Sequence, residues 1–118
     1  MSLPETVSTQ SNVTVSVASP LRHTCPFVDE VDDGFVDISW RCNGASIELH
    51  SLRAWLDQWS DCDDSHEEIT DAIVHTLGSL SGIKDVSVVT YWTTAGMSVS
   101  VTGGDGALLR EPVHAGGE

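Results

Sequence analysis

From Val13 onward apolar and polar residues alternate: Val13, Val15 and Val17 are separated by Thr14 and Ser16. A period of two predicts a strand with one buried face, and Ser19-Pro20 is expected to end it. A polar segment follows, His23-Thr24-Cys25-Pro26-Phe27-Val28-Asp29-Glu30-Val31-Asp32. The next strand is expected from about Gly34 to Arg41. Val36, Ile38 and Trp40 line one face and Phe35 is out of phase with them, before a turn at Asn43-Gly44. Over Ile47 to Trp59 the period lengthens. Leu49, Leu52, Leu56 and Trp59 recur at spacings of three and four, with Trp55 widening the stripe, which predicts an amphipathic helix. Ser65 and Glu68 stand three apart, the spacing of a capping box, and open a second helix whose apolar face is Ile69, Ile73, Leu77 and Leu80. Gly82 suits the left-handed position that closes it. Val86 to Trp92 predicts a third strand and Met97, Val99 and Val101 a fourth, with Thr93-Thr94-Ala95-Gly96 as the hairpin loop.

The predicted order is β-β-α-α-β-β, an α+β fold. It forms a single domain over residues 12–102, with a flexible N-terminal tail over 1–11 and a C-terminal tail over 103–118. Two helices cover only one face of a four-stranded antiparallel sheet. An open face and two open edges invite aggregation unless copies join edge to edge into a barrel. A ring-shaped homo-oligomer is therefore expected.

Composition sharpens this picture. At 118 residues the chain suits one domain with a modest core. Eighteen acidic residues against five basic ones give a formal net charge of −13. The acids are dispersed, so they decorate a folded surface rather than a tail. Such a surface fits a salty cytosol, where self-repulsion is screened within about 3 Å at molar salt. No apolar run approaches the roughly 18–20 residues that span a bilayer, and no basic-then-apolar leader opens the chain; a cytoplasmic protein without a membrane partner is expected. Cys25, Cys42 and Cys62 are an odd number with no C-x-x-C, which argues against a disulfide framework and a common zinc ribbon.

Candidate chemistry lies in two places. Cys25 offers a thiol that a neighbour can activate, and Asp32, seven residues on, a carboxyl that can pass protons. Ser65-His66-Glu67-Glu68 offers an imidazole and a carboxylate that the capping box does not use. The blander readings are a buried inert thiol, a turn aspartate before Asp33-Gly34, a solvated histidine, and a first-turn carboxylate favoured by the helix dipole.

The element order is that of the tunnelling fold, whose members act on purines and pterins. Within it the sequence resembles the QueF family. Cys25-Pro26 followed by Asp32 and Asp33-Gly34-Phe35-Val36 resembles that family's nucleophile loop. His66-Glu67 resembles its substrate-binding pair, and Glu48-x-His50-Ser51-Leu52-Arg53 its first-helix motif, with changes. The resemblance covers roughly residues 22–101. One branch of the family reduces the nitrile of 7-cyano-7-deazaguanine with NADPH. The other, the QueF-like amidinotransferase, adds ammonia to that nitrile in tRNA and forms archaeosine. The reductase branch carries lysines where this chain has His50 and Arg53, and an Arg-Gly-Gly near the last hairpin where this chain has Thr94-Ala95-Gly96. A dinucleotide phosphate wants fixed cations. The resemblance thus implies the amidinotransferase, with tRNA and ammonia as partners and no cofactor. The retained Glu48, Ser51 and Arg53 keep NADPH reduction as the alternative. The implied assembly is a homo-oligomeric ring of stacked pentamers.

On this reading Cys25 forms a thioimidate with the nitrile carbon and Asp32 supplies the proton. Glu67 accepts two N–H donors of the deazaguanine edge, and His66 covers the nitrile side. No metal is expected. A zinc enzyme using His23, Cys25 and His66, or Cys62 with His66, and a non-catalytic scaffold are the competing readings. A tRNA partner sits badly with −13, since phosphates are met by Lys and Arg.

Overall fold

The computed structural model describes residues 2–25, 27–28 and 30–104. The elements run β1 (Thr6–Ser8), β2 (Thr14–Thr24), β3 (Val31–Cys42), β4 (Ala45–Ile47), α1 (Leu49–Leu56), a 3-10 turn (Asp57–Asp61), α2 (His66–Gly78), β5 (Ile83–Thr94) and β6 (Met97–Gly104). The main sheet is antiparallel in the order β2-β3-β5-β6, and β1 and β4 form a two-stranded sheet beside it. This is the expected β-β-α-α-β-β plan with one short ribbon added. Among the described residues no helix is long and apolar enough to cross a membrane.

The core sits where the alternation placed it. Val36, Ile38 and Trp40 are fully buried, whereas Phe35 is exposed. They meet Leu52, Trp55, Leu56 and Trp59 from the first helical segment and Ile69, Ile73 and Leu77 from the second, in one contiguous cluster. The capping box forms as read: Glu68 N–H donates to Ser65 Oγ at 3.1 Å, and Ser65 N–H to the Glu68 carboxylate at 2.9 Å. Gly82 has φ of 84°, but α2 ends at Gly78 with Ser79 as its cap, so Gly82 turns the chain into β5 rather than closing the helix; Ala95 and Gly96 with φ of 53° and 75° make the two-residue turn that matches strand twist.

Several boundaries differ from the sequence expectation. Strand β2 does not stop at Pro20 but runs on to Thr24. It is an edge strand, and a proline there costs no ladder hydrogen bond when its missing N–H faces outward. The first helix is shorter than its apolar stripe, because Ile47 pairs with Thr6 in the ribbon and Trp59 lies in the 3-10 turn. The stretch expected as an N-terminal tail contributes β1. Its neighbours are fixed by Glu48 N–H to Glu5 O at 2.8 Å, Thr9 N–H to Gly44 O at 3.1 Å and Glu5 N–H to Ser51 Oγ at 2.8 Å. The tail expected over 103–118 begins inside β6, and from residue 105 onward it lies outside the described residues. The face of the sheet opposite the helices also differs from the open surface expected, since Asp37, Ser39, Ser87 and Tyr91 are buried on it.

Candidate active site

Extending β2 past Pro20 builds the site. The β2–β3 register places His23 opposite Asp32 and Thr24 opposite Val31, so the polar segment is a hairpin loop with Asp32 inside a strand. Cys25 stands at the loop's start, where its N–H donates to Glu30 O at 2.6 Å and Thr24 N–H reaches Cys62 O at 2.9 Å. Cross-strand partners in such a ladder bring their side chains together. His23 Nε2 lies 3.0 Å from Asp32 Oδ2. From α2, His66 Nε2 lies 3.2 Å from the same oxygen. On the far side of His23, Nδ1–H donates to the Asp64 carbonyl at 2.9 Å. All three side chains are withdrawn from water, at 1% exposed for His23, 13% for Asp32 and 14% for His66.

Trp92 packs the imidazoles in place. Its ring stacks on His66 at 4.4 Å between centroids and 9° between planes, and meets His23 edge-on at 4.8 Å. Gly34 is the register partner of Trp92, and a Cβ there would come within 2.7 Å of Trp92 Cε3 and against the Tyr91 carbonyl. A glycine is thus required beneath the indole. A buried hydrogen-bond chain ties Trp92 to α2, and its direction follows from the donors available. The Trp92 indole N–H can only donate, and it reaches Thr90 Oγ1 at 3.0 Å. Thr70 gives its hydroxyl proton to the His66 carbonyl at 2.8 Å, so in the 2.6 Å contact between the two threonines Thr90 donates. Every link is satisfied, which fixes His66 against β5.

A cleft of about 290 Å³ is lined by His23, Cys25, Phe27, Ser65, His66, Glu67, Thr94 and Val99. That is near the lower end of the ~300–1,000 Å³ usual for small-molecule sites. Three of the four candidate residues therefore face one space, and the fourth, Asp32, is hydrogen-bonded to one of them. Phe27 stands 89% exposed at this cleft. A second, open recess of about 720 Å³ shares Cys25 and Phe27 with the cleft and is lined also by Cys62, Asp61 and Asp63 among others. Burial, foremost, pushes the Cys62 thiol above its ordinary range, and the Asp64 and Asp63 carboxylates add to the shift. Cys42 is buried in the core.

The described clusters with donors enough for a cation are His23 with Asp32 and His66, and Cys62 with Asp63 and Asp64. Neither is a zinc set considered from sequence: Asp32 stands where Cys25 was considered, and Cys62 groups away from His66. Each donor of the first cluster is already in a hydrogen bond within it. The Glu48 motif serves α1 as a cap. Its carboxylate accepts from His50 N–H at 2.9 Å and Ser51 N–H at 2.7 Å, which holds its carboxyl down to about 2. Ser51 Oγ takes the Glu5 N–H, and Arg53 pairs with Asp57 at 2.8 Å. Sequence reasoning missed Trp92, and met His23 only as a possible ligand. The missing signal was the register, since continuing the alternation through Pro20 brings His23 opposite Asp32.

No family model matches the chain. Among curated proteins, the NADPH-dependent 7-cyano-7-deazaguanine reductase of Chlorobium chlorochromatii (strain CaD3) is 25% identical over 84 residues, 70% of this chain and 72% of that protein. Among solved structures, the apo form of the archaeosine synthase QueF-Like superposes with a TM-score of 0.78 at 19% identity, over 85% of this chain and all of that one. The fold is the tunnelling fold of that neighbour. Both similarities are to proteins of the QueF family, and they bear out the resemblance to that family read from the sequence.

Proposed function

We propose that this chain is a QueF-like amidinotransferase that converts the nitrile of 7-cyano-7-deazaguanine in tRNA to the amidine of archaeosine, with ammonia as nitrogen source. The observation that carries the reading is the convergence of Cys25, His66 and Glu67 on one cleft, with Asp32 hydrogen-bonded to His66. Cys25 sulfur adds to the nitrile carbon and the nitrogen takes a proton from Asp32, giving a thioimidate. Ammonia adds to the same carbon, and collapse expels the thiolate and leaves the amidine. The covalent step divides one difficult addition into two easier ones. In this reading Glu67, exposed on the first turn of α2, accepts the paired N–H donors of the base.

The second reading is NADPH-dependent reduction of the free nitrile base, favoured by the name of the curated relative. Against it stands the use made of the first-helix motif. Glu48 and Ser51 are engaged in capping and in holding β1, and one of the two lysine positions of the reductase branch is His50, whose ring bonds Glu48, where a dinucleotide phosphate wants fixed cations. Phosphates of tRNA meet a similar difficulty, because Arg22, Arg41 and Arg53 pair with Asp33, Asp85 and Asp57. Exposed pairs of this kind are worth under about 1 kcal/mol, so exchanging a carboxylate for a phosphate costs little.

Intact-protein mass after incubation with 7-cyano-7-deazaguanine in high salt tests the covalent step. An added mass equal to the ligand is expected, and absent from Cys25→Ala. Ammonia-dependent conversion of the nitrile in tRNA, without oxidation of NADPH, then supports the transferase. Oxidation of NADPH on adding the free base replaces it with the reductase.

A further inference from the structure

We propose that His23 is a positioning residue that holds, together with Asp32, one proton to be lent to the nitrile nitrogen and later taken back. The proposal rests on the amidinotransferase reading for its chemistry, while the proton itself follows from hydrogen-bond geometry.

A carbonyl oxygen only accepts, so the 2.9 Å contact to Asp64 O puts a hydrogen on His23 Nδ1. In a neutral imidazole Nε2 is then a lone pair. That lone pair lies 3.0 Å from Asp32 Oδ2, and an ionised carboxylate offers lone pairs alone. Two acceptors at hydrogen-bond distance, both shielded from water, repel unless a proton lies between them. The pair therefore holds one proton more than a neutral imidazole and a carboxylate would. His66 does not account for it: its own Nε2–H satisfies the 3.2 Å contact to Oδ2 with a neutral ring. Neither imidazole can turn away, because Trp92 stacks on one ring and meets the other edge-on.

The catalytic balance follows. When the Cys25–carbon bond forms, one π bond of the nitrile breaks and its electron pair moves to nitrogen. Nitrogen takes the proton of the pair through Asp32. Ammonia then adds to carbon as the C=N π pair moves to the first nitrogen; the ammonium formed gives that nitrogen one proton and returns another to the now-facing lone pairs of Asp32 and His23. Cleavage of the carbon–sulfur bond restores the thiolate. Nitrile plus ammonia become amidine, and the pair ends as it began. In this scheme His23 acts through Asp32, making it a donor at the start and an acceptor afterwards.

Two measurements decide it. The first needs no substrate: 15N NMR of the histidine-labelled full chain, with His23 assigned by His23→Gln. Nδ1 is expected as an N–H nitrogen and Nε2 as a proton-sharing one, returning to a bare lone-pair position in Asp32→Ala. A bare Nε2 in the wild type overturns the proposal. The second compares rates of adduct formation. His23→Leu is expected to slow it about 100-fold, in the range of a positioned proton donor. Affinity for the base, measured in the Cys25→Ala background, should change less than about threefold, and His23→Gln should recover part of the rate. Equal adduct rates in wild type and a folded His23→Leu also overturn it. A wild type that forms no adduct counts against the amidinotransferase reading, and the NMR result still decides whether the pair holds its proton.

Discussion

At the scale of single residues, position within the ladder decides what each side chain can do. His23 and Asp32 are ordinary polar residues until the register makes them neighbours. Gly34 acts by what it lacks. Gly34→Ala forces a methyl against Trp92 and the Tyr91 carbonyl. Overpacking of this kind costs about 1–3 kcal/mol, to be read from denaturant midpoints. It should also slow adduct formation at Cys25, since displacing Trp92 releases His66. A Gly34→Ala protein of unchanged stability would show that the indole has room to move. Glu48 yields a pH prediction. Its carboxyl is lowered from 4.5 to about 2 by the N–H groups of His50 and then Ser51. A lowered folded value means stabilisation present in full above 4.5, declining as pH falls, and gone below about 2. Glu48→Ala should therefore lower urea stability at pH 6 more than at pH 3. An equal loss at both would place the effect in packing rather than charge.

At the scale of elements, the site depends on how α2 is held to β5. The directed chain from Trp92 through Thr90 and Thr70 to the His66 carbonyl is that link. Thr90→Val keeps the volume but leaves the buried indole N–H without its acceptor, a loss of about 1–3 kcal/mol. Thr70 keeps its bond to His66, so α2 itself should remain intact. The expected signature is reduced stability with unchanged far-UV circular dichroism and slower adduct formation. Thr70→Val, by contrast, removes the tie to the helix as well. The ribbon β1–β4 shows the same economy, since Ser51 both caps within α1 and receives the chain before β1.

At the scale of the molecule, charge and edges set the predictions. With −13 on 118 residues, the compact state works against its own repulsion in dilute buffer. Thermal midpoint should rise steadily with KCl toward molar concentration, where screening acts within about 3 Å. A flat response would remove the case for a salty cytosol. Among the described residues no strand pairs with the outer edge of β2 or of β6. Edge-to-edge closure into a ring is the assembly we propose, and light scattering at high salt should find a multiple of the 12.6 kDa chain. A monomer at micromolar concentration would overturn it.

Much of this protein was determined by local sequence. The alternation fixed which of Val36, Ile38, Trp40 and Phe35 face the core, because a strand's side chains can point only two ways. Ser65 and Glu68 fixed the start of α2, because a cap is a contact within one turn. That start also placed His66 and Glu67 side by side on it. Pairing between distant segments could not be read in the same way. Pro20 looked like an end, and only its edge location, a property of the finished sheet, let β2 continue to His23. Ile47 had the period of a helix and became a strand because Thr6 lay across from it. Trp92 read only as the end of a strand, and its role came from Gly34 beneath it and His66 upon it, contacts across 58 and 26 positions of chain. The sequence by itself decided which residues are apolar, capped or nucleophilic, since those are properties of neighbours along the chain. The tertiary structure alone decided that two imidazoles and a carboxylate share one oxygen, since that depends on register and on packing from every side.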